Sequence, residues 1–300
     1  MIKNILLLTL VILTRFPMHA QSQASVNMSE GGYGMTKTNL QTYYDYSWGT
    51  VNGGMAVHAS YEFFNNRIFT VTANGRLSTA HLSFDSADLS NGFNPDEINL
   101  NGSHLFGQTG LLATFRSRMW GKPIMTMAMM NAEWGAGGFA RVSGIAMGLL
   151  MLRANRTTQF GIGPLVMINT SSKIPAFLVF MYRHSFNRYW HINLYGAMLG
   201  IEHTPSASNL FSIGADVDVK AFYFKPGHID LPSKCRFTST SLRPMVRYRR
   251  RLITNIYLDL KSGVAVKMSC RVNGVTGSRE YFDCSRKVSP FIHTGLTCNL

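Results

Sequence analysis

The stretch from Leu210 to Phe224 reads LFSIGADVDVKAFYF. Its apolar and small residues recur at every second position from Phe211 to Tyr223. The charged residues all fall on the intervening positions and are Asp216, Asp218 and Lys220. Because successive side chains of a β-strand point to opposite faces, this alternation predicts one long strand with an apolar face and a charged face.

The length of this predicted strand indicates a membrane. At about 3.3 Å per residue it spans roughly 45–50 Å, and a tilted strand needs only about ten residues to cross a bilayer. We therefore expect the apolar face to contact lipid and the charged face to line a lumen. The terminal aromatic run, Phe222–Phe224, should lie in a girdle at the membrane interface.

The composition of the 300-residue chain excludes a helical membrane protein and is unusual for a cytosolic enzyme. Charged residues make up 15% of the chain, whereas soluble domains average about 25%. Hydrophobic residues make up 46%, and the mean hydropathy is +0.02. A helical membrane protein would show several apolar runs of about 20 residues. A β-barrel that alternates lipid-facing and lumen-facing side chains averages to the observed values.

The N-terminus predicts export. Lys3 supplies a positive charge, Asn4–Thr14 forms a short apolar segment, and Met18-His19-Ala20 precedes a polar residue. This order is typical of a signal peptide, because the apolar segment is too short to span a bilayer as a helix. We expect cleavage after Ala20, with cleavage after Ala24 as the alternative.

The domain organisation follows from this interpretation. Residues 1–20 are the predicted signal peptide, residues 21–37 a mobile lead-in rich in Gly and Ser, and residues 38–300 a single outer-membrane β-barrel. The predicted location is therefore the outer membrane, reached through a cleaved N-terminal signal peptide.

The body of the chain reads as strands separated by turn signals, with short connections that mostly alternate with long ones such as Asp85–Gly102. Bacterial outer-membrane barrels show the same asymmetry and have even strand numbers. We expect an all-β, transmembrane, antiparallel up-and-down β-barrel of 12–14 strands. A break at Gly196 gives 14 strands, and dropping the Met-rich strand Ile124–Glu133 together with a neighbour gives 12.

A soluble β-sandwich or lipocalin-like barrel is the alternative fold. In that case the apolar faces would pack inward and the outer faces would carry many Lys and Glu residues, whereas the apolar faces here are nearly continuous from strand to strand. Aromatic residues also collect near strand ends, as in the interfacial girdles of membrane barrels. They are Tyr44, Tyr46, Trp48, Phe63, Phe64, Trp120, Tyr189, Trp190 and Phe222–Phe224.

Three features of the chain carry a resemblance to a known family. They are the signal peptide, the all-strand body and short turns such as Asn65-Asn66-Arg67 and Ser185-Phe186-Asn187-Arg188. The chain resembles outer-membrane β-barrels of the Bacteroidota type, and more closely a family of barrel domains of unknown function in that phylum. The resemblance covers residues 40–300 and implies fold, location and handling by the barrel assembly machinery. It transfers no functional residue, and the end Cys298-Asn299-Leu300 lacks the terminal aromatic residue common in such barrels.

The formal charge of +14 has two interpretations. A basic protein either binds nucleic acid or lies against anionic lipid and lipopolysaccharide. Because the N-terminus predicts export, we expect lipid and lipopolysaccharide as partners and no nucleic acid. The basic residues outside the predicted lumen either contact lipid phosphates or form a solvated surface. They are Arg249, Arg250, Arg251, Arg279, Arg286 and Lys287.

Four cysteines fall in the last third of the chain. Cys270 and Cys284 lie in one polar stretch between two predicted strands, so a disulfide between them is expected in the oxidising periplasm. Cys235 and Cys298 receive no predicted partner. The chain has no C-x-x-C motif and no His pair at ligand spacing, so no metal and no cofactor are predicted.

Charged residues share one face on three consecutive predicted strands. They are Asp216, Asp218, Lys220, Arg243, Arg247, Asp259 and Lys261. An Arg or Lys on the lipid face costs about 2–4 kcal/mol near the bilayer midplane, so these side chains should face the lumen and pair. They form either a structural ladder of ion pairs or a basic constriction that selects anionic solutes.

Enzyme motifs are missing from the sequence: there is no G-x-S-x-G, no H-E-x-x-H and no phosphate-binding Gly-rich loop. His81 with Ser83, and His293 on the last strand, are the residues from which a lipid-modifying site would be built; otherwise they are ordinary barrel residues. The sequence predicts a non-catalytic barrel that is structural or passes a small, preferentially anionic solute. The alternatives are a lipid-modifying enzyme and a barrel that binds partners through its loops.

Overall fold

The computed structural model describes residues 38–48, 51–85, 94–168, 176–195, 198–227, 231–275, 280–283 and 288–300. The predicted signal peptide and lead-in lie outside these ranges, as do Cys284, Arg279, Arg286 and Lys287. Every regular element in the described ranges is a β-strand. Among these residues, no helix has the length and apolarity needed to cross a membrane.

The sixteen strands, in chain order, are β1 (Thr38–Ser47), β2 (Val51–Asn52), β3 (Gly54–Asn65), β4 (Phe69–Leu82), β5 (Gly102–Met119), β6 (Lys122–Gly135), β7 (Gly138–Ala154), β8 (Thr158–Ile168), β9 (Ala176–Ser185), β10 (Trp190–Leu194), β11 (Leu199–Ser206), β12 (Asn209–Phe224), β13 (Cys235–Ile253), β14 (Ile256–Gly274), β15 (Glu280–Asp283) and β16 (Val288–Asn299).

Fourteen of these strands close an antiparallel barrel. Sequential strands pair from β3 to β14, and β16 pairs with both β14 and β1, which returns the ring to β3. The short strands β2 and β15 lie off this ring and pair with β4 and β14. The predicted all-β antiparallel barrel is confirmed, and the strand number is 14 because β6 and the separate pair β10 and β11 are all present.

Six short turns share one end of the barrel, and three of them are built on asparagine. Asn66 Oδ1 accepts hydrogen bonds from the backbone N–H groups two and three residues further on, and Asn155 and Asn187 do the same. A side-chain oxygen that captures these N–H groups tightens the turn. The first and last residues of the described barrel also meet here, since Leu300 N–H donates to the carbonyl of Thr38. We call this end the turn end and the opposite one the loop end.

The wall is apolar on the outside over most of its circumference. On β8, Val166 and Ile168 are exposed while Leu165 and Met167 are buried inside. This is the arrangement of a membrane barrel and the reverse of a soluble one. Most of the predicted girdle aromatics are exposed, namely Tyr44, Tyr46, Trp48, Phe63, Phe64, Trp120 and Trp190, and Tyr189 is half-buried.

Strand β12 belongs to the wall only in its first half. Residues 209–215 pair with β11 on one side and β13 on the other, and Ile213 is 62% exposed. β11 begins at Leu199, which lies opposite Ala215, and β10 has only five residues. In the described ranges, therefore, the second half of β12, Asp216–Phe224, pairs with β13 alone.

The second half of β12 crosses the lumen to the opposite wall. Its residue Tyr223 donates a hydrogen bond from the phenol to Glu133 of β6 and stacks on Phe106 of β5, with ring centroids 6.2 Å apart. The backbone N–H of Ala136 donates to the carbonyl of Tyr223 over 3.3 Å. We call Asp216–Phe224, together with the paired residues of β13, the crossing hairpin.

The predicted girdle position of Phe222–Phe224 is wrong. Phe222, Tyr223 and Phe224 are 3%, 0% and 2% exposed. The predicted contact of Val217 with lipid is wrong too, because this side chain is also buried. The physical reason is that the neighbouring strands β10 and β11 are short. Without a partner in the wall at this height, the strand turns inward and its apolar side chains pack on protein.

The crossing hairpin is covered by a hydrophobic core on each face. Phe222, Phe224 and Phe237 pack against Ile98 and Leu100 of the β4–β5 connection in the loop-end core. Val217 and Val219 pack on the other side, against the inner faces of β6 to β9. Those inner faces are rich in methionine, a flexible side chain that fills irregular gaps. The buried set there includes Met127, Met129, Met147, Met167 and Met181.

Candidate functional site

Arg243 is the centre of the predicted charge ladder. It is buried inside the barrel and donates from Nε to Asp216 Oδ1 over 2.8 Å and from Nη2 to Asp216 Oδ2 over 3.0 Å. Its Nη1 lies 3.5 Å from Asp218 Oδ2 and 3.7 Å from Asp45 Oδ1. The guanidinium also lies over the Phe291 ring, 4.8 Å from its centroid. Register explains the first contact, because Arg243 and Asp216 are direct cross-strand partners.

The remaining ladder residues continue the network along β12, β13 and β14. Arg247 makes a bidentate pair with Asp259, with both N–O distances 2.7 Å. Lys261 Nζ lies 3.6 Å from Asp216 Oδ2, and Lys220 Nζ lies 3.9 Å from Asp218 Oδ2. Bidentate Arg–carboxylate pairs fix geometry more firmly than single contacts do. All seven predicted ladder residues are thus brought together inside the barrel.

Two ladder members were not predicted as such. Asp45 of β1 accepts from His293 Nδ1 of β16 over 2.7 Å and contacts Arg243. The signal was available, because Asp45 lies on the polar face of its strand and Asp45 and His293 are direct partners where the barrel closes. With Asp45 included, the ladder holds four carboxylates and four Lys or Arg cations, so its formal charges balance.

A second polar cluster lies where the crossing hairpin meets the opposite wall. Glu133 is buried and accepts from Arg141 Nε over 3.1 Å, from the Ser143 hydroxyl and from the Tyr223 phenol. Arg236 of β13 lies close enough to interact electrostatically with Glu133. Sequence reasoning missed this cluster, since nothing in the alternation of β12 shows that its end leaves the wall.

A cavity of about 230 Å³ connects the ladder with the loop-end core. It reaches the ladder at Asp45 and Lys220, and the loop-end core at Phe106 and Phe222. Its charged lining residues are the cations Arg76, Arg141, Lys220, Arg236 and Arg271 and the carboxylates Asp45 and Glu133. Five cations against two carboxylates make the cavity basic, in contrast to the balanced ladder.

Four buried polar atoms of the cavity lining lack a hydrogen-bond partner among the described residues. They are Asn74 Nδ2, Arg76 Nε, Asn131 Oδ1 and Arg236 Nε. Buried polar groups are nearly always satisfied by protein or water, so an unsatisfied group in a native structure calls for an explanation such as a water or ion. Three of the four are N–H donors that are buried in the wall of the cavity, and its basic lining is suited to an anion.

His81 and Ser83, the predicted start of a lipid-modifying site, do not meet. His81 Nδ1 lies 3.3 Å from the hydroxyl of Ser103, its cross-strand neighbour on β5. His81 and Ser103 are both exposed on the outer wall. Ser103 was missed because it follows the long β4–β5 connection, and only the pairing of β4 with β5 places it beside His81. His293 lies inside, in the ladder.

The cysteines divide into bonded and free. Cys270 is disulfide-bonded, whereas Cys235 and Cys298 are free thiols. The predicted partner Cys284 lies outside the described residues, so the pairing stays a prediction. In the described part of the chain, no group of three or more His, Cys, Asp or Glu residues could hold a metal ion.

No protein-family model and no curated protein matches the chain. Solved structures do match. The outer membrane phospholipase OMPLA of Salmonella typhi is 10% identical, with 93% of this chain and 98% of that chain covered and a TM-score of 0.39. An outer membrane channel of Pseudomonas putida F1 is 8% identical, with 89% of this chain and 97% of that chain covered and a TM-score of 0.43. The Pseudomonas putida toluene transporter TodX is 9% identical, with 88% of this chain and 89% of that chain covered and a TM-score of 0.37.

The three matching structures are those of one enzyme and two transport proteins, and each is 10% identical to this chain or less. They carry no argument about activity. The resemblance to a Bacteroidota family also stays a prediction, because no family model matches.

Proposed function

We propose that this protein is a non-catalytic outer-membrane β-barrel that admits small solutes, with a preference for anions, into the cavity of its lumen. The closed barrel with an apolar outer wall supports membrane insertion. The observation that carries the proposal is the basic cavity, whose lining carries three more cations than carboxylates. A lining that serves only to fill a barrel would be expected to balance its charges, as the ladder does.

In this proposal the charge ladder has a structural role. Both carboxylate oxygens of Asp216 and of Asp259 are taken by arginine N–H groups, and the ladder charges balance. Arg243 and Arg247 therefore have little capacity left for a solute anion. The anion preference comes instead from the cavity cations that lack a bidentate carboxylate, Arg76 and Arg236.

Planar-bilayer recording tests the proposal. With a KCl gradient across the membrane, we expect the reversal potential to indicate preference for chloride, and we expect Arg76→Gln with Arg236→Gln to move it toward zero. Arg67→Gln is the matched control, since Arg67 is exposed in the β3–β4 turn. A protein that inserts but carries no current above the bare bilayer would exclude passage, and a double variant with unchanged selectivity would exclude the cavity as its source.

A second candidate function rests on His81 and Ser103. In an ester hydrolase of the outer wall, Ser103 Oγ would attack the lipid carbonyl while His81 accepts its proton and then returns it to the departing alcohol. Purified protein in mixed micelles, assayed for release of fatty acid from phospholipid, tests this. Activity that disappears in Ser103→Ala and His81→Ala but persists in Ser83→Ala would establish the enzyme, and absence of release would remove it.

A further inference from the structure

We propose that the cavity binds a small organic anion that joins one carboxylate or phosphate group to a compact apolar body. The inference rests on the proposed function, because it names the class of solute that the same cavity would take. It is built from the charge, the polar side chains, the apolar lining and the size of the cavity.

The charged end of the ligand is indicated by the donors. Arg76 and Asn74 lie two residues apart on β4, with the same parity, and both residues line the cavity. Their atoms Arg76 Nε and Asn74 Nδ2 are buried in its wall without a hydrogen-bond partner among the described residues. Arg76 is held in place by Tyr43, whose ring centroid lies 5.9 Å from its Cζ. Guanidinium and amide N–H groups donate to the oxygens of carboxylate and phosphate, and such charge-assisted bonds are stronger than neutral ones.

A second set of polar atoms comes from the crossing hairpin itself and from β6. Arg236, which pairs with Tyr223, lines the cavity, and its Nε is buried in the wall without a hydrogen-bond partner in the described ranges. Asn131 is 4% exposed, and its Oδ1 is likewise unsatisfied. A buried polar atom that is left unpaired costs about 1–3 kcal/mol. Unused hydrogen-bonding capacity therefore lies in the wall of the cavity on β6 and β13 as well as on β4.

The apolar body of the ligand is indicated by the rest of the lining. The cavity wall includes Met129, Ile145, Met167, Val219 and Ala221. An inorganic anion such as phosphate would leave this surface in contact with water alone. Ligand sites typically combine an apolar wall with a few convergent polar groups, and methionine adapts to ligands of varied shape.

The size of the cavity admits such a ligand. Its volume is about 230 Å³, well above the roughly 10–15 Å³ that one water molecule needs on the same measure. The space therefore accommodates a compact organic anion such as benzoate. A cation is disfavoured because the lining carries three more cations than carboxylates.

A matched series of probes tests the inference on the unaltered protein. Benzoate, phenyl phosphate, benzyl alcohol and benzylamine share one ring and differ in head group. We expect isothermal titration of protein in lipid nanodiscs, corrected with empty nanodiscs, to give at least tenfold tighter binding of benzoate or phenyl phosphate than of benzyl alcohol, and no saturable binding of benzylamine. The anion that binds more tightly, benzoate or phenyl phosphate, shows whether the site prefers a carboxylate or a phosphate group. Equal binding of benzoate and benzyl alcohol, or none, would overturn the inference.

Variants then place the site. We expect Arg76→Gln and Arg236→Gln each to weaken binding of the preferred anion about tenfold or more, because a charge-assisted hydrogen bond is lost. Arg183→Gln is the matched control: Arg183 Nε also lacks a partner in the described part of the chain, but Arg183 does not line the cavity. An equal loss in Arg183→Gln would mean that the anion binds elsewhere in the lumen.

The two proposals can fail separately. Tight binding of an organic anion by a barrel that carries no current would leave the inference standing and exclude passage. A chloride-selective current without saturable binding of benzoate or phenyl phosphate would support passage and overturn the inference of an organic-anion site.

Discussion

The two halves of β12 have the same alternating pattern and opposite surroundings. In the wall half, residues 209–215, the apolar side chains of Phe211 and Ile213 face lipid. In the crossing half, the equivalent side chains of Val217 and Tyr223 are buried in protein. Lipid chains and a protein core both accept apolar side chains. The alternation therefore predicts which side chains share a face of the strand, but not whether that face contacts lipid or protein.

What separates the two halves is the length of their neighbours. A strand in a bilayer must satisfy its backbone groups with partners on both sides, because no water is available there. β11 provides a partner up to Ala215, and the described part of the chain provides none beyond it. The crossing half instead places its backbone inside the barrel, where polar side chains are within reach.

The largest expected effect concerns the ladder in the crossing half. Arg243→Gln should lower the free energy of unfolding by about 3–5 kcal/mol, because it leaves the buried carboxylates of Asp216 and Asp218 without their main partner. Val246→Ala, on the outer face of the same strand, should cost clearly less, since lipid fills the vacated space. Urea unfolding in micelles, followed by tryptophan fluorescence, measures both. A loss below about 1 kcal/mol for Arg243→Gln would mean that the ladder does not stabilise the barrel.

The next effect concerns the wall half. Ile213→Arg should cost about 2–4 kcal/mol in liposomes, as expected for a cation on the lipid face. Ile213→Leu keeps an apolar side chain at the same place and should be nearly neutral. Folding yield and unfolding by denaturant in phospholipid vesicles give the comparison. If the arginine is tolerated as well as the leucine, this half of β12 does not face lipid.

The smallest of the three effects concerns the contact of the crossing hairpin with the opposite wall. A Cβ at Gly135 would lie 2.6 Å from Cβ of Tyr223, so Gly135→Ala must displace the hairpin end. Overpacking of this kind costs about 1–3 kcal/mol. At Gly148 a Cβ meets nothing within 4 Å, which makes Gly148→Ala the control. Equal melting temperatures of the two variants would argue against the crossing.

Much of the fold follows from the sequence. The alternation, the short turns and the even strand numbers of membrane barrels predict a barrel of 12–14 strands, and the structure has 14. The charges on β12 to β14 predict the set of ladder residues. These inferences depend on parity within a strand and on pairing between sequence neighbours, which are local properties.

The cavity and the crossing hairpin could not be predicted, because they depend on contacts between distant strands. Glu133 and Tyr223 are separated by 90 residues, and their strands are nearly opposite each other in the ring. Arg76 and Arg236 reach the same cavity from β4 and β13. The charges of these residues were visible in the sequence, but the bend that brings them together arises from the shortness of β10 and β11.

The short strands also affect how the backbone exchanges with solvent. Residues 176–182 of β9 pair with β8 on one side, and in the described part of the chain nothing pairs with them on the other. Every second amide along this segment therefore points into a notch in the wall. Deuterium should enter these amides faster than those of residues 107–115 of β5, which pair on both sides, and the notch would be the place where the barrel opens first.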